Sequence, residues 1–332
     1  MRHIHELFLV VAFLAGCAGV VCFALLSWLR YWRWRRREKR SVKDGLTPRP
    51  GPSPVVRWTL TGLTLAGLGC LGWGFLFEPA YPRLERLVLA VPGLSAPLRL
   101  VQLSDLHLDG REERLARALA LVEEAAPDLI ALTGDYLNDE KDQPVLERLG
   151  ERLVAIAGEG AVFAVGGNFD GAIGDGGSLD TLSRAGVQVL DGTGVVFTRR
   201  DAALQVFGMR HTFDYFDCDE WLPQLAAQVQ PGVPAILLYH EPSLAESPGA
   251  EAFALQICGH THGGQVRLPF IGALLTLARH GRRYQAGLYA LAPGRHLYIN
   301  RGLGLEPAPA PQVRFLCPPE VTLLELVPAA ND

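Results

Sequence analysis

Two uncharged apolar runs, residues 7–29 and 58–77, constrain this 332-residue chain more than any other feature. They are 23 and 20 residues long, and about 20 apolar residues of helix cross a bilayer core. A secretory leader has an apolar region of only about 7–15 residues, so the first run is too long for one. Trp28, Tyr31, Trp32 and Trp34 at its end read as an interfacial aromatic belt. The expected layout is a transmembrane helix within residues 1–29, a basic loop over 30–57, a second transmembrane helix at 58–77 and a folded domain over 84–332.

The segment between the runs holds ten basic residues (Arg30, Arg33, Arg35, Arg36, Arg37, Lys39, Arg40, Lys43, Arg49 and Arg57) against Glu38 and Asp44. Its net charge is +8; with residues 1–29 neutral and a chain total of −4, residues 58–332 carry −12. A domain so acidic is a poor partner for nucleic acid, whose binding rests on neutralising phosphates. Six cysteines with no Cys-x-x-Cys pair exclude a disulfide scaffold and a zinc ribbon.

Beyond Leu84 short apolar strands alternate with helices. Strands are expected at residues 99–104, 128–133, 161–165, 204–208, 235–239 and 255–258, and near the end at 285–292, 296–300 and 321–327. Helical spacing marks Leu115, Leu119 and Val122, and the stretch 145–157. Asp191-Gly192, between two apolar stretches, reads as a hairpin turn. Such a pattern makes a layered α/β core with mixed sheets.

Polar residues follow five of these strands directly. Asp105 and His107 stand in SDLHLDG, Asp135 in LTGDY, Asn168 and Asp170 in GGNFD, His240 in YHEP, and His260 and His262 in GHTHGGQ. Open α/β sheets bind ligands at the carboxyl ends of their strands. Oxygen and imidazole donors without thiolate suit Mn, Fe or Zn. Any one of these motifs alone is ordinary loop chemistry; the ordered set is not.

That set resembles the calcineurin-like metallophosphoesterases from Leu98 to the tail. With YINRGLG and VRFLCPPEVTLLEL, it is similar to the bacterial membrane-associated branch of YkuE-like and YaeI-like phosphoesterases and chlamydial-type UDP-2,3-diacylglucosamine pyrophosphatases. The resemblance implies a four-layer αββα sandwich with mixed sheets, preceded here by two transmembrane helices. It implies two divalent cations: one held by Asp105, His107 and His262, the other by Asn168, His240 and His260, with Asp135 bridging. It further implies attack on phosphorus by a metal-bridged hydroxide, with Asp135, Asn168 and His240 at the reacting centre and a phosphate-ester or lipid-linked substrate. Hydrolysis of UDP-2,3-diacylglucosamine, or a metal-binding protein of weak activity, are the alternatives.

One position departs from the pattern. The family usually carries His after the Asn of Gly-Asn-His, and this chain has Phe169. Losing a proton donor costs about 10²–10⁴ in rate, less when the leaving group is good, which favours pyrophosphates or activated diesters. His211 reads as a solvated loop histidine, with replacement of the missing proton donor as the alternative. Residues 269–277 (PFIGALLTL), followed by Arg279, His280, Arg282 and Arg283, read as core packing beside a solvated basic turn, or as a segment dipping into an interface.

The charge asymmetry predicts a topology. Exporting ten basic residues works against the membrane potential at about 2.3 kcal/mol per charge per 100 mV, so the basic segment stays cytoplasmic. The chain is then a two-pass protein of the inner or plasma membrane with its C-terminal domain extracytoplasmic. An alkaline phosphatase fused to the C-terminus should be active and a cytoplasm-dependent fluorescent protein dark; the reverse pair would place the domain in the cytoplasm.

Overall fold

The computed structural model describes residues 2–45, 47, 50–172, 174–212, 215–307 and 310–329. The chain divides into two units, residues 1–74 and 75–332. In the first, helix α1 (Arg2–Lys43) is joined to α2 (Pro54–Gly72). The stretches Ala15–Lys43 and Pro54–Ala80 are long and apolar enough to cross a membrane. α1 runs on through the basic residues to Lys43, so the expected loop starts later than residue 30. Arg and Lys are good helix formers and nothing breaks the run before Gly45. The two helices meet where Trp28 Nε1 donates to Thr61 Oγ1 (2.6 Å) and the Arg57 guanidinium lies 3.9 Å from the Tyr31 ring centre.

The second unit is built on two six-stranded sheets. The first runs β1 (Arg83–Val91), β14 (Glu320–Pro328), β2 (Leu98–Leu103), β3 (Leu129–Leu132), β4 (Val162–Ala164), β5 (Gln188–Val189). The second runs β12 (Gly287–Ala292), β13 (Arg295–Ile299), β9 (Leu255–Cys258), β8 (Ala235–Leu238), β7 (Ala202–Gly208), β6 (Thr193–Arg199). Within these two sheets, among the described residues, the pairs β14–β2, β6–β7 and β12–β13 are antiparallel and the rest parallel, so both sheets are mixed.

Alternation along the strands makes the layers. On β8, Ile236 and Leu238 join the core shared between the sheets, while Ala235 and Leu237 point outward under α6 (Tyr215–Ala226). α3 (Glu112–Ala125) and α4 (Gln143–Ala157) cover the other sheet through Ala118, Val122, Leu146, Leu149 and Leu153. The result is the αββα sandwich. α5 (Ser178–Arg184) adds Leu179 and Leu182 to the same core.

Two expectations change. Asp191-Gly192 is no hairpin: β5 and β6 belong to different sheets, so this turn carries the chain across the sandwich. The hairpin lies one strand later, where β6 and β7 pair from Arg199↔Ala202 around Arg200-Asp201. β1, which no strand was assigned to, pairs parallel with β14 along its whole length. Its RLERLVLAV pattern carries three charges, Arg83, Glu85 and Arg86, which fall on both faces of the first half of an edge strand, where side chains are exposed or half-buried.

Leu324 on β14 is fully buried in the shared core. Leu324→Ala should cost about 2–5 kcal/mol of unfolding free energy, read from denaturant or thermal melts; a cost under about 1 kcal/mol would contradict its place between the sheets.

Candidate metal centre

The strands β2, β3 and β4 of one sheet and β8 and β9 of the other release their carboxyl ends to a common place. Asp105, His107, Asp135, Asn168, His240, His260 and His262 all lie there. Five of them hold left-handed backbone: Asp105 (φ 48°), His107 (41°), Asp135 (57°), His260 (66°) and His262 (48°). Non-glycine residues rarely accept this conformation, and it persists where the surroundings over-determine it. The turns must be sharp to aim the side chains back over the strand ends.

Asp105, His107 and His262 form one group and Asp135, His240 and His260 another, the ligand-type atoms within each lying within 4.8 Å of one another. His107 Nε2 faces His262 Nε2 at 3.2 Å, and Asp105 Oδ1 is 3.4 Å from the latter. In the second group Asn168 Oδ1 lies 3.0 Å from both His240 Nε2 and His260 Nδ1. Asp135 Oδ2 stands between the groups, 3.1 Å from His240 Nε2 and 3.7 Å from His107 Nε2.

Tautomers follow from what the other ring nitrogens meet. His240 Nδ1 donates to the Thr133 carbonyl (2.7 Å) and His107 Nδ1 to Asn138 Oδ1 (2.7 Å). In the neutral rings the Nε2 atoms then carry lone pairs. Those lone pairs face carboxylate oxygens, an amide oxygen and other imidazoles. Burial pushes His107 down; burial and His240 push His260 down to about 4; burial and His107 push His262 well down. Neutral imidazole is the ligand form. His240 goes the other way: burial lowers it, but Asp135 more than reverses this, to about 10. Burial pushes Asp105 up to about 7. Among the described residues, the ion pairs of Asp105 and Asp135 are all to histidine. Buried carboxylates and imidazoles that converge, with no Lys or Arg ion-paired to the carboxylates among the described residues, are chemically a cation site, so the residues fit the two divalent ions that such proteins use.

A second ring of groups holds these in place. Asp170 accepts from the backbone N–H of Asp135 (2.6 Å), Gly167 (2.7 Å) and Tyr136 (3.0 Å), and from Ser178 Oγ (2.8 Å). It thereby ties the Gly-Asp turn to the Gly-Asn turn. Phe169 N–H donates to Asp135 Oδ1 (2.9 Å), leaving Oδ2 for the space between the groups. A β-carbon on Gly167 would sit 2.2 Å from Asp135 Oδ1, and one on Gly259 would sit 1.9 Å from Ser104 Oγ; neither position admits a side chain. Asp105 accepts from His260 N–H (3.0 Å), so the two sheets are stitched at the site.

Three findings depart from, or were missing in, the sequence reading. His211 is not solvated: its side chain is 3% exposed, stacked on the His260 ring (5.8 Å), with Nε2 3.4 Å from Glu241. Burial raises the Glu241 carboxyl, but His211, His260 and the Arg279 N–H outweigh it and hold it at about 2. Glu306 reaches within 3.6 Å of His262 Nε2, and burial together with Asp105 and Asp135 pushes it up to about 7. Arg314 is fully buried behind His262 and donates to the carbonyls of Gly302 and Gly304. Glu306 lies two residues past the RGLG turn and Arg314 stands in VRFLC; their sequence distance from the histidines hid their place. Phe169 is half exposed at the mouth, its ring edge-on to His107 (5.3 Å).

An αββα sandwich whose two sheets present paired His/Asp/Asn groups at their strand ends defines the metallophosphoesterase class. The chain belongs to the calcineurin-like phosphoesterase family, whose model matches residues 98–264. It is similar to the phosphodiesterase YaeI of Escherichia coli, 33% identical over 80% of this chain and 96% of that one. It is likewise similar to the metallophosphoesterase YkuE of Bacillus subtilis (33%; 69% and 78%) and to the UDP-2,3-diacylglucosamine pyrophosphatase LpxG of Chlamydia trachomatis (25%; 80% and 95%). The chain is a metal-dependent phosphoester hydrolase by family.

Asp170→Ala should weaken divalent-metal affinity about 10–100-fold, read by titration calorimetry, while every direct donor is retained. Unchanged affinity would show that the Gly-Asp and Gly-Asn turns hold themselves.

Proposed function

We propose that this protein binds two divalent cations and hydrolyses a phosphodiester or pyrophosphate ester, possessing a good leaving group, at a membrane. Asp105, His107 and His262 would hold the first cation and Asn168, His240 and His260 the second, with Asp135 shared. The observation that carries this is Asp135 Oδ2, within reach of a ring nitrogen of each group, 3.7 Å from His107 and 3.1 Å from His240. When bound, a pair of cations supplies Lewis-acid charge and brings the pKa of water from 15.7 towards about 7.

The chain's own residues do the rest. Asp135, fixed through Oδ1 by Phe169 N–H, keeps one oxygen for the shared position. Asn168, whose Oδ1 lies 3.0 Å from His240 Nε2 and from His260 Nδ1, would have its amide N–H₂ left to donate to a phosphoryl oxygen. Hydrolysis replaces the bond from phosphorus to the leaving oxygen by one to a water oxygen, and the leaving oxygen must take a proton or depart as a stable anion. Phe169 offers no proton, and this supports diesters and pyrophosphates over alkyl monoesters. The name of the 33%-identical relative YaeI, a phosphodiesterase, supports the same substrate class.

A second reading is hydrolysis of UDP-2,3-diacylglucosamine, supported by the alignment to LpxG over 95% of that chain. It needs the catalytic domain to meet a cytoplasmic substrate, against the extracytoplasmic placement that the basic segment supports.

Bis(p-nitrophenyl) phosphate with added Mn²⁺ should be turned over, and Asp135→Ala should abolish turnover and lower both metal equivalents. Turnover no greater than that of Asp135→Ala would sink the enzymatic reading in favour of a binding protein. Phe169→His should raise turnover of alkyl esters more than of aryl esters, by up to about 10²; an equal change for both would count against the missing-proton explanation.

A further inference from the structure

The chain leaving the GHTHGGQ loop makes an exposed apolar hairpin. β10 (Arg267–Leu268) and β11 (Gly272–Ala273) pair antiparallel, so Pro269, Phe270 and Ile271 form its tip. Ile271 N–H donates to Leu268 O at 3.2 Å and Phe270 has φ 66°. This is a tight turn with Pro second and a left-handed residue third, a place that ordinarily takes Gly or Asn. Here it carries Phe, with a relative exposure of 109%, and Ile271 beside it is exposed too. Leu316 repeats the combination: exposed, at φ 53°, and lining the same cleft. That cleft, of about 500 Å³, is also walled by Arg267, Gln285 and Tyr289. Lone apolar residues on a surface need no explanation, whereas a group of them rimmed by polar residues marks an interaction site.

The rim is basic. Arg267 stands at the hairpin base and donates to Gly263 O (2.9 Å); Arg282 donates to the Ile271 carbonyl at the tip; Arg283 follows, exposed, with Glu246 as its acidic partner (2.7 Å). An apolar edge flanked by arginine is the composition of interfacial membrane segments, and basic side chains at that depth meet lipid phosphate.

We propose that this hairpin seats in the interface of an anionic bilayer, with Phe270 and Ile271 among the acyl chains and Arg267, Arg282 and Arg283 at the phosphates. A bilayer is at hand for a chain with two candidate spans. Since only residues 263–266 separate His262 from β10, a seated tip holds the acceptor cluster close to the headgroups. The idea does not depend on which ester is cleaved.

The test uses the full chain in nanodiscs of phosphatidylcholine with phosphatidylglycerol, and of phosphatidylcholine alone. Phe270→Cys carries a nitroxide on a Cys17→Ser, Cys22→Ser, Cys70→Ser background, and Val196→Cys, exposed on β6, is the aqueous control. Collision rates with oxygen and with a water-soluble nickel complex report depth. Position 270 should favour oxygen over nickel in the anionic discs and less so in the neutral ones, while position 196 favours nickel in both. An Ile271→Cys label repeats the reading without touching the third turn position. A nickel-accessible tip in both discs would overturn the proposal. Low collision with both reagents would overturn it too, because the tip would then be covered by protein. Equal depth in both lipids would remove the role assigned to the arginines.

Discussion

Everything in the second unit depends on bringing buried hydrogen-bond acceptors together. Asp105, Asp135 and His240 are almost wholly removed from water; each holds one backbone partner (His260 N–H, Phe169 N–H and the Thr133 carbonyl), and their other polar neighbours are each other, the remaining imidazoles and the Asn168 amide oxygen. Burying such groups unpaired costs several kcal/mol apiece, so the arrangement survives only because it is rigidly held and because positive charge is welcome in it. The rigidity is visible. Glycines stand where a β-carbon would collide, five ligand-type residues accept left-handed backbone, and the Asp170 carboxylate is spent entirely on orienting its neighbours.

The sandwich serves this end. Parallel strands release their carboxyl ends on one side, and two such sheets face to face deliver residues from positions as distant as 105 and 262 to a single point. Hydrogen bonds across the seam, such as His260 N–H to Asp105, make the site a joint product of both sheets. Mutations that loosen sheet packing should therefore be felt as losses of metal affinity as well as of stability.

Much of this was legible in the sequence. The strands that precede the motifs are short, largely apolar and mostly buried, so they stand out, and each is followed within a few residues by the polar groups of the site. What escaped detection was what sequence distance conceals. β1 is an edge strand whose first half carries charges on both faces. Asp191-Gly192 has the chemistry of a hairpin turn, but the flanking strands belong to opposite sheets. His211 lies in a polar stretch that gives no hint of burial, yet its ring packs flat on His260. Asn138 and Thr133, which set the tautomers of His107 and His240, are unremarkable residues until the backbone puts them there. The helical continuation of α1 to Lys43 was masked by its charge, which says where a segment lies in a membrane system and nothing against helix.

The central claim is that two cations occupy two definite places, with Asp135 between them. Anomalous diffraction from crystals of the protein loaded with Mn²⁺, recorded on both sides of the manganese edge, tests this most directly. Two peaks are expected, one bounded by Asp105, His107 and His262 and one by Asn168, His240 and His260, each within ligand distance of Asp135. A single peak, or peaks away from these side chains, would contradict it.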